Sequence, residues 1–299
     1  MTRTDLLTCI HEPFGDAFYY GPERLSSRFD ADKPARLKSG FSNTTYASVL
    51  DSITSQIASS ASKYKRVFIK DIIHYLFPPN GKQAVLAPSL ASLSKGAEDE
   101  GNPTVVPLSV LRKFHFTFLI RHPRRAIPSY YRCTVPPLDE VTGFYDFMPS
   151  EAGYDELRRI FDFLRRKGVV GEGESERDGV NGVNETNGNH AGSGANGVYG
   201  RTHCWPVSES VKITVIDADD LLDRPAEVIR AYCEAVGIDY RPEMLAWEDA
   251  AHREQAAAAF EKWNGFHNDA IGSTSLRPRA NGVVCFPVPP PFVFKSSTP

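Results

Sequence analysis

Residues 114–129, which read FHFTFLIRHPRRAIPS, give the clearest indication of the fold. The first part of this stretch, 114–120, is rich in aromatic and β-branched residues, which predicts a buried β-strand. Pro123 then suits the first position of a helix, where a missing amide donor does no harm. Ligands of α/β proteins bind beyond the carboxyl ends of parallel strands, so the residues that follow this strand are candidates for a site.

Working outward from this stretch, the spacing of apolar residues predicts further elements. It predicts helices over 45–61, 154–167, 225–236 and 256–263, and buried strands over 66–69 and 211–216. Residues 5–9 are expected to form the end of a helix, followed by a loop over 11–15. Strands that alternate with helices indicate an α/β fold in three layers, with a mostly parallel central sheet flanked by helices.

The chain is expected to form a single domain over residues 1–280. Residues 171–200 are rich in Gly, Asn and Glu and hold few large apolar side chains, which predicts a disordered insertion. Residues 281–299 are rich in proline and are expected to form an extended tail.

Composition limits the classes of partner. The chain has 299 residues, a net charge of −3 and no basic tract, so no nucleic-acid partner is expected. It has neither a run of about eighteen apolar residues nor an apolar N-terminal segment, so neither a membrane span nor a signal peptide is expected. The five cysteines show no C-x-x-C pair, so we expect reduced thiols, no metal and a cytoplasmic location.

Charged residues follow the strand predicted at 66–69. Lys70 and His74 are candidate catalytic residues there, because a lysine supplies positive charge and histidine is the usual general base near neutral pH. The alternative is that Lys70 and Asp71 are solvated loop charges and that His74 packs on a helix.

A second group of charges follows the strand predicted at 114–120. Arg121 and Arg124 lie at the start of the predicted helix, where free amides and the helix dipole already favour anions. The guanidinium group matches phosphate oxygens, and Ser129 lies about two turns along the same helix. The alternative is a cluster of surface salt bridges.

These pieces, in this order, resemble the sulfotransferase superfamily, which transfers a sulfuryl group from 3′-phosphoadenosine 5′-phosphosulfate to a hydroxyl or amine. The family has an Arg-x-Pro motif after a strand and a Ser eight residues beyond the Arg, and Arg121, Pro123 and Ser129 match it. The resemblance implies a P-loop NTPase-like fold. It also implies that Arg121 and Ser129, with Arg124 beside them, bind the phosphosulfate donor as co-substrate.

Two further segments carry the resemblance. Residues 215–240, with Pro225 and Gly237 bounding a helix, are similar to an element that is structural in the family. Lys70 and His74 stand roughly where the family has a lysine and a catalytic base, although its Lys-Thr-His order is not reproduced.

The sequence HEPFG at residues 11–15, together with Phe286-Pro287, resembles a divergent subgroup that includes fungal sulfotransferase-like proteins. In that subgroup the Glu-Pro-Phe segment lies near the acceptor pocket. The resemblance therefore implies that Glu12, Phe14 and Tyr19 bind the acceptor. It covers roughly residues 1–165 and 205–276.

The family's first strand and phosphosulfate loop have no counterpart in this sequence, so the fold is expected to be N-terminally incomplete. The absence of G-x-x-x-x-G-K-[ST] also argues against ordinary kinases and NTPases. The first hypothesis is a sulfotransferase that acts on a hydroxyl of a small molecule, such as a secondary metabolite. The alternative is a sulfotransferase-fold protein without sulfuryl transfer, with a binding or accessory role or altered chemistry. Serine hydrolases and dinucleotide enzymes are disfavoured, because G-x-S-x-G and G-x-G-x-x-G are also missing.

Overall fold

The computed structural model describes residues 3–171, 211–247 and 250–278. The predicted insertion from residue 172 onward and the predicted tail lie outside the described residues. The family's proline-rich match at Phe286-Pro287 lies outside them too.

Six short strands are found in the described ranges, and all pair in parallel. The strands are β1 (Leu7–His11), β2 (Arg66–Lys70), β3 (Thr117–Ile120), β4 (Val170–Gly171), β5 (Val211–Lys212) and β6 (Thr214–Asp217). They form three two-stranded sheets, β1–β2, β3–β6 and β4–β5. The parallel pairing and the intervening helices agree with the predicted α/β class.

Helices fill the segments between the strands. The α-helices are α1 (Gly15–Tyr19), α2 (Lys33–Lys38), α3 (Tyr46–Ala61), α4 (Leu108–Leu111), α5 (Pro123–Arg132), α6 (Asp139–Thr142), α7 (Tyr154–Arg166), α8 (Ala218–Asp223), α9 (Pro225–Val236), α10 (Ala250–Phe260) and α11 (Asn268–Ile271). Turns of 3₁₀ helix lie at Ile73–Leu76, Pro88–Leu93, Gly96–Asp99, Pro149–Glu151, Pro242–Leu245 and Glu261–Trp263.

Local sequence signals set the bounds of the best-predicted helices. The Thr45 side chain accepts a hydrogen bond from the Ser48 amide at 3.1 Å, and the Ser48 hydroxyl accepts one from the Thr45 amide at 2.9 Å. This capping box satisfies two amides that would otherwise lack partners at the start of α3. Helix α9 ends at Gly237, whose φ of 65° lies in the left-handed region that glycine enters without steric penalty.

The N-terminal prediction was wrong. Residues 5–9 were expected to end a helix, but Leu7–His11 is strand β1, and its amides and carbonyls pair with those of β2 from Leu7↔Arg66 to His11↔Lys70. A short apolar run of this kind does not distinguish a buried strand from a helix end, and pairing with a distant partner decided it.

The strand predicted at 211–216 is interrupted. Residues Val211–Lys212 pair with β4, while Thr214–Asp217 pair with β3, so the break at Ile213 sends the chain from one pair to another. The helix predicted at 256–263 begins earlier, at Ala250, and its last turn is a 3₁₀ helix.

The core forms where α3 and α7 pack against the strands and the N-terminal aromatic segment. Val49 and Ile53 of α3 are buried, and Ile160, Phe163 and Leu164 of α7 have no exposed surface. These positions recur at helical spacing, which explains why both helices were predictable.

Strands β3 and β6 are less buried than expected. Leu119 and Ile120 of β3 are 60% and 38% exposed, and Val215 of β6 is 47% exposed. The prediction of buried strands here is therefore wrong for these side chains, because a parallel sheet is buried only where other elements cover both faces. In the described ranges, neither β3 nor β6 has a second strand neighbour.

Within the described ranges, we find no helix that combines the length and the apolar character needed to cross a bilayer.

Candidate functional site

The carboxyl ends of β1 and β2 meet at a buried glutamate. His11 and Lys70 are paired in the β1–β2 register, and the Glu12 amide donates to the Lys70 carbonyl oxygen at 2.7 Å. Glu12 is 1% exposed and has a φ of 43°, in the left-handed region that residues other than glycine rarely enter. Backbone strain of this kind persists only where the surroundings hold it, and it is concentrated at functional sites.

The Glu12 carboxylate is surrounded by donors. It pairs with the Lys70 ammonium, which is 39% exposed, and accepts a hydrogen bond from the Tyr75 hydroxyl at 3.1 Å. Burial alone would raise the pKa of Glu12, but the hydrogen bond from His267 and the charge of Lys70 hold that pKa at about 2. Glu12 is thus an anion buried in the protein and compensated by neighbouring groups.

Two imidazoles approach the same carboxylate oxygen. The distances from Glu12 Oε1 are 3.5 Å to His11 Nε2 and 3.6 Å to His267 Nε2. The ring of Phe260 packs against both imidazoles, with centroid distances of 4.5 Å to each. Burial lowers the pKa of His11 to about 4, against the opposing effect of Glu12, so this ring is neutral at pH 7. Together His11, Glu12 and His267 offer ligand atoms within 4.8 Å of one another.

The backbone of this loop is also tied down by charge. Lys262 Nζ donates to the Glu12 carbonyl oxygen at 3.1 Å and lies 2.5 Å from Asp16 Oδ1. Asp71 accepts hydrogen bonds from the amides of Phe14 at 3.1 Å and Ile72 at 2.8 Å. Burial raises the pKa of Asp71 to about 7, although both amides favour its charged form. Asp71 therefore holds the 12–14 loop against β2, and the alternative of a solvated loop charge is wrong for it.

His74 lies in the core rather than at the surface. It is 5% exposed, and its ring packs edge-on against Phe18 and Tyr75 with centroid distances of 5.3 and 4.6 Å. Neither ring nitrogen has a hydrogen-bond partner among the described residues. Burial lowers its pKa to about 3, so the ring is neutral at physiological pH. A catalytic role for His74 stays a prediction. Its surroundings are those of a side chain that packs in the core, which is the alternative given above.

The second predicted group lies at the start of α5. Arg121 and Arg124 are exposed, and Ser129 is half-buried on the same helix. The His122 side chain accepts from the Arg124 amide at 3.2 Å, so one of the amides at the helix start is already capped. The two arginines remain at the surface at a helix N-terminus, an arrangement suited to a multiply charged anion.

A bridge connects the two strand ends. The Tyr154 hydroxyl donates to the Arg121 carbonyl oxygen at 2.8 Å. The neighbouring Gly153 packs against the 73–74 turn, where a Cβ added to it would lie 3.8 Å from His74 Nδ1 and 3.9 Å from Ile73 Cγ2. The start of α7 therefore spans from the segment after β2 to the segment after β3.

The predicted acceptor residues separate into two kinds. Phe14 and Tyr19 are 7% and 2% exposed and belong to the aromatic core. Glu12 is equally buried, but it lies against Lys70 and His267, whose side chains are 39% and 21% exposed. Of the three predicted acceptor residues, Glu12 is therefore the one shown here in contact with partly exposed charged or polar side chains.

Sequence reasoning missed part of this cluster. His267 occupies the N-terminal cap position of α11, but it makes no side-chain capping bond there and faces Glu12 instead. His11 was not singled out, because β1 was not recognised. A signal was available in the strand itself, since residues at the carboxyl end of a parallel strand are the ones that meet a ligand.

Comparison with known proteins shows similarity to sulfotransferases. A family model described as a sulfotransferase domain matches residues 206–278. A curated relative, sulfotransferase ppzF of Metarhizium majus (strain ARSEF 297), is 24% identical over 243 residues, which cover 77% of this chain and 60% of that protein. Both findings support the resemblance to sulfotransferases that the sequence predicted.

The chain spans about 60% of the length of this curated relative. No solved structure matches the chain.

Proposed function

We propose that this protein transfers a sulfuryl group from 3′-phosphoadenosine 5′-phosphosulfate to a hydroxyl group of a small molecule, with a secondary metabolite as a candidate acceptor. The observation that carries the proposal is the match to the sulfotransferase domain combined with two charged strand ends, at Glu12–Lys70 and at Arg121–Arg124. The finer fold that goes with this proposal is the three-layer, P-loop NTPase-like arrangement of the family.

In this proposal the nucleotide binds at the start of α5. Arg121 and Arg124 pair with phosphate oxygens, and the Ser129 hydroxyl donates to the same group. The exposed position of both arginines allows a ligand to approach them without displacing core side chains. The Tyr154 hydroxyl fixes the Arg121 carbonyl at 2.8 Å and so orients the strand end.

Transfer forms a bond between the acceptor oxygen and sulfur while the bond from sulfur to the bridging phosphate oxygen breaks. The acceptor proton passes to a base, and 3′-phosphoadenosine 5′-phosphate leaves with the bonding electrons. Catalysis of such transfers rests mainly on positioning and electrostatic stabilisation. Lys70 is suited to stabilise the negative charge that develops, because its ammonium lies at a strand end and reaches solvent.

His74 is the proton acceptor predicted from the sequence. It is 5% exposed, and its pKa of about 3 in this buried position makes it a weak base, so it takes the acceptor proton only if the turn at Ile73–Leu76 opens and exposes the ring. Glu12, held ionised by Lys70 and His267, would orient the acceptor side of the site rather than take its proton, since a carboxyl group with a pKa of about 2 is a weak base.

The test is a transfer assay with ³⁵S-labelled donor and a panel of phenols and aliphatic alcohols. We expect labelled product with at least one acceptor. Lys70→Met is expected to lower the rate by about a hundredfold, the usual range for losing one electrostatic stabiliser. Lys63→Met, at an exposed position outside the cluster, serves as the control.

Absence of product from folded protein across the panel would contradict the proposal. It would favour the alternative, a sulfotransferase-fold protein with a binding or accessory role. A Lys70→Met protein as active as the control would instead remove Lys70 from the mechanism.

A further inference from the structure

The cluster at the end of β1 has the composition of a metal site. His11 and His267 offer imidazole nitrogens and Glu12 offers a carboxylate oxygen, all within 4.8 Å of one another. In a four-coordinate zinc site with bonds of about 2.0–2.1 Å, neighbouring ligand atoms lie about 3.3 Å apart. Two of the three separations, 3.5 and 3.6 Å, are already close to that value.

The groups around the cluster position these ligands. The Tyr75 hydroxyl donates to Glu12 Oε2 at 3.1 Å and leaves Oε1 directed at the two imidazoles. Phe260 packs against both rings. Outer contacts of this kind orient metal ligands and contribute to affinity.

One of the three ligand atoms lacks a hydrogen-bond partner. His11 Nε2 is buried and has no hydrogen-bond partner among the described residues. A buried polar atom without a partner destabilises the fold unless something binds it. Its neighbour at 3.5 Å, Glu12 Oε1, is a carboxylate oxygen that only accepts hydrogen bonds, so a cation between the two atoms would be bound by both.

We propose that His11 Nε2, Glu12 Oε1 and His267 Nε2 bind a divalent transition-metal ion, zinc being the best fit, with the fourth position open. This site departs from the expectation of no metal drawn from the sequence. The site shares Glu12 and Lys70 with the transfer machinery proposed above, but its test is separate, because metal binding is measured without donor or acceptor. Nitrogen and carboxylate ligands with an open position are typical of zinc sites that bind an exchangeable ligand.

Lys70 competes with the metal ion for the Glu12 carboxylate. Its ammonium pairs with the same oxygen, Glu12 Oε1, and so supplies the positive charge that the buried carboxylate needs when no metal is bound. The Lys70 side chain is 39% exposed, which lets it turn into solvent when the ion binds. Lys70→Met is therefore expected to tighten metal binding about tenfold or more, since it removes a like charge next to the ion.

The experiment is calorimetric titration of chelator-treated protein with Zn²⁺, together with Co²⁺ absorption spectra as a readout of coordination. We expect one equivalent of Zn²⁺ to bind with a Kd in the micromolar range or below, and tetrahedral Co²⁺ bands. His11→Gln and His267→Gln are expected to weaken binding at least tenfold, and His122→Gln, at the exposed N-cap position of α5, is the matched control.

No binding, or equal binding by His11→Gln, His267→Gln and the control, would overturn the proposal. Circular dichroism of each variant shows whether it is folded. If His11→Gln fails to fold, Lys70→Met decides the question, because unchanged or weaker Zn²⁺ binding by that variant contradicts the site. If the unchanged protein binds Zn²⁺ but shows no sulfuryl transfer, the proposed function is rejected and the metal site is not.

Discussion

The hydroxyl of Tyr75 donates a hydrogen bond to the buried carboxylate of Glu12 at 3.1 Å, across 63 positions of sequence. Tyr75 is itself fixed, because its carbonyl oxygen accepts from the Tyr46 hydroxyl of α3 at 2.7 Å. The charged end of β1 is therefore anchored to the aromatic core through a chain of two tyrosines.

Tyr75→Phe removes the donor and leaves the ring in place. We expect the free energy of unfolding to fall by about 1.5–3 kcal/mol, the usual range for a hydrogen bond to a charged group. Urea unfolding measures this, with Tyr64→Phe as control because Tyr64 is 94% exposed. Equal stability of the two variants would mean that Lys70 and His267 compensate Glu12 without a contribution from Tyr75.

A second buried charge pair ties the N-terminal segment to the 3₁₀ turn at Pro149–Glu151. Arg28 and Glu151 have side chains that are each 4% exposed, and Arg28 Nη2 lies 2.6 Å from Glu151 Oε2. The Tyr130 hydroxyl donates to the same carboxylate oxygen at 2.7 Å. Glu151→Ala would leave Arg28 buried without its partner, so we expect a loss of about 3–5 kcal/mol in the free energy of unfolding.

The control for this pair is Asp162→Asn. Asp162 pairs with Arg158 at 2.8 Å on the exposed surface of α7, four residues apart. Exposed pairs of this kind contribute about 0.3–0.5 kcal/mol. A Glu151→Ala variant no less stable than Asp162→Asn would contradict the burial of the Arg28–Glu151 pair.

His74 is expected to influence stability at acid pH. Its pKa in the folded chain is lowered from 6.5 to about 3 by burial, opposed by Glu12 and reinforced by Arg28. Between these values the unfolded chain takes up a proton that the folded chain does not, so stability is lost as pH falls from about 6.5 towards 3. His74→Phe, which keeps an aromatic ring between Phe18 and Tyr75, should make this decline shallower.

The measurement is the free energy of unfolding from pH 7 to pH 4, with the exposed His122→Gln as control. An unchanged slope in His74→Phe would contradict the burial of a neutral ring. The same variant tests the predicted base, since folded His74→Phe protein that transfers sulfuryl groups at the normal rate removes His74 from catalysis.

The exposed apolar surface of β3 predicts self-association. Leu119 is 60% exposed on a strand that pairs only with β6 in the described ranges. Exposed apolar strands are sites of association, and polar residues on them oppose it. Leu119→Thr should reduce concentration-dependent light scattering and change the free energy of unfolding by no more than about 0.5 kcal/mol. Leu37→Thr, at a 59% exposed position on α2, is the matched control and should not alter scattering.

Much of the helical framework was predictable because its signals are local. The Thr45–Ser48 box begins α3, Pro123 begins α5 and Gly237 ends α9, each within a few residues of its effect. The burial of β3 and β6 was not predictable, because it depends on which elements cover the sheet. The break at Ile213 was missed for a similar reason, since each side of it pairs with a different strand.

The cluster around Glu12 was predictable only in part. Lys70 was selected because it follows a predicted strand, and Glu12 was selected because the family resemblance places its segment near the acceptor pocket. His267 reaches Glu12 from 255 positions further along the chain, and no local pattern joins the two. His74 was selected by residue type and spacing, and its burial between two aromatic rings depends on tertiary packing.

The central claim is that the start of α5 binds the nucleotide of a phosphosulfate donor. Its most direct test is calorimetric titration of the chain with 3′-phosphoadenosine 5′-phosphate, beside Arg121→Ala and the exposed control Arg158→Ala. We expect micromolar binding by the chain and the control, weakened at least tenfold in Arg121→Ala. A folded chain that does not bind the nucleotide, or an Arg121→Ala variant that binds it equally well, would contradict this claim.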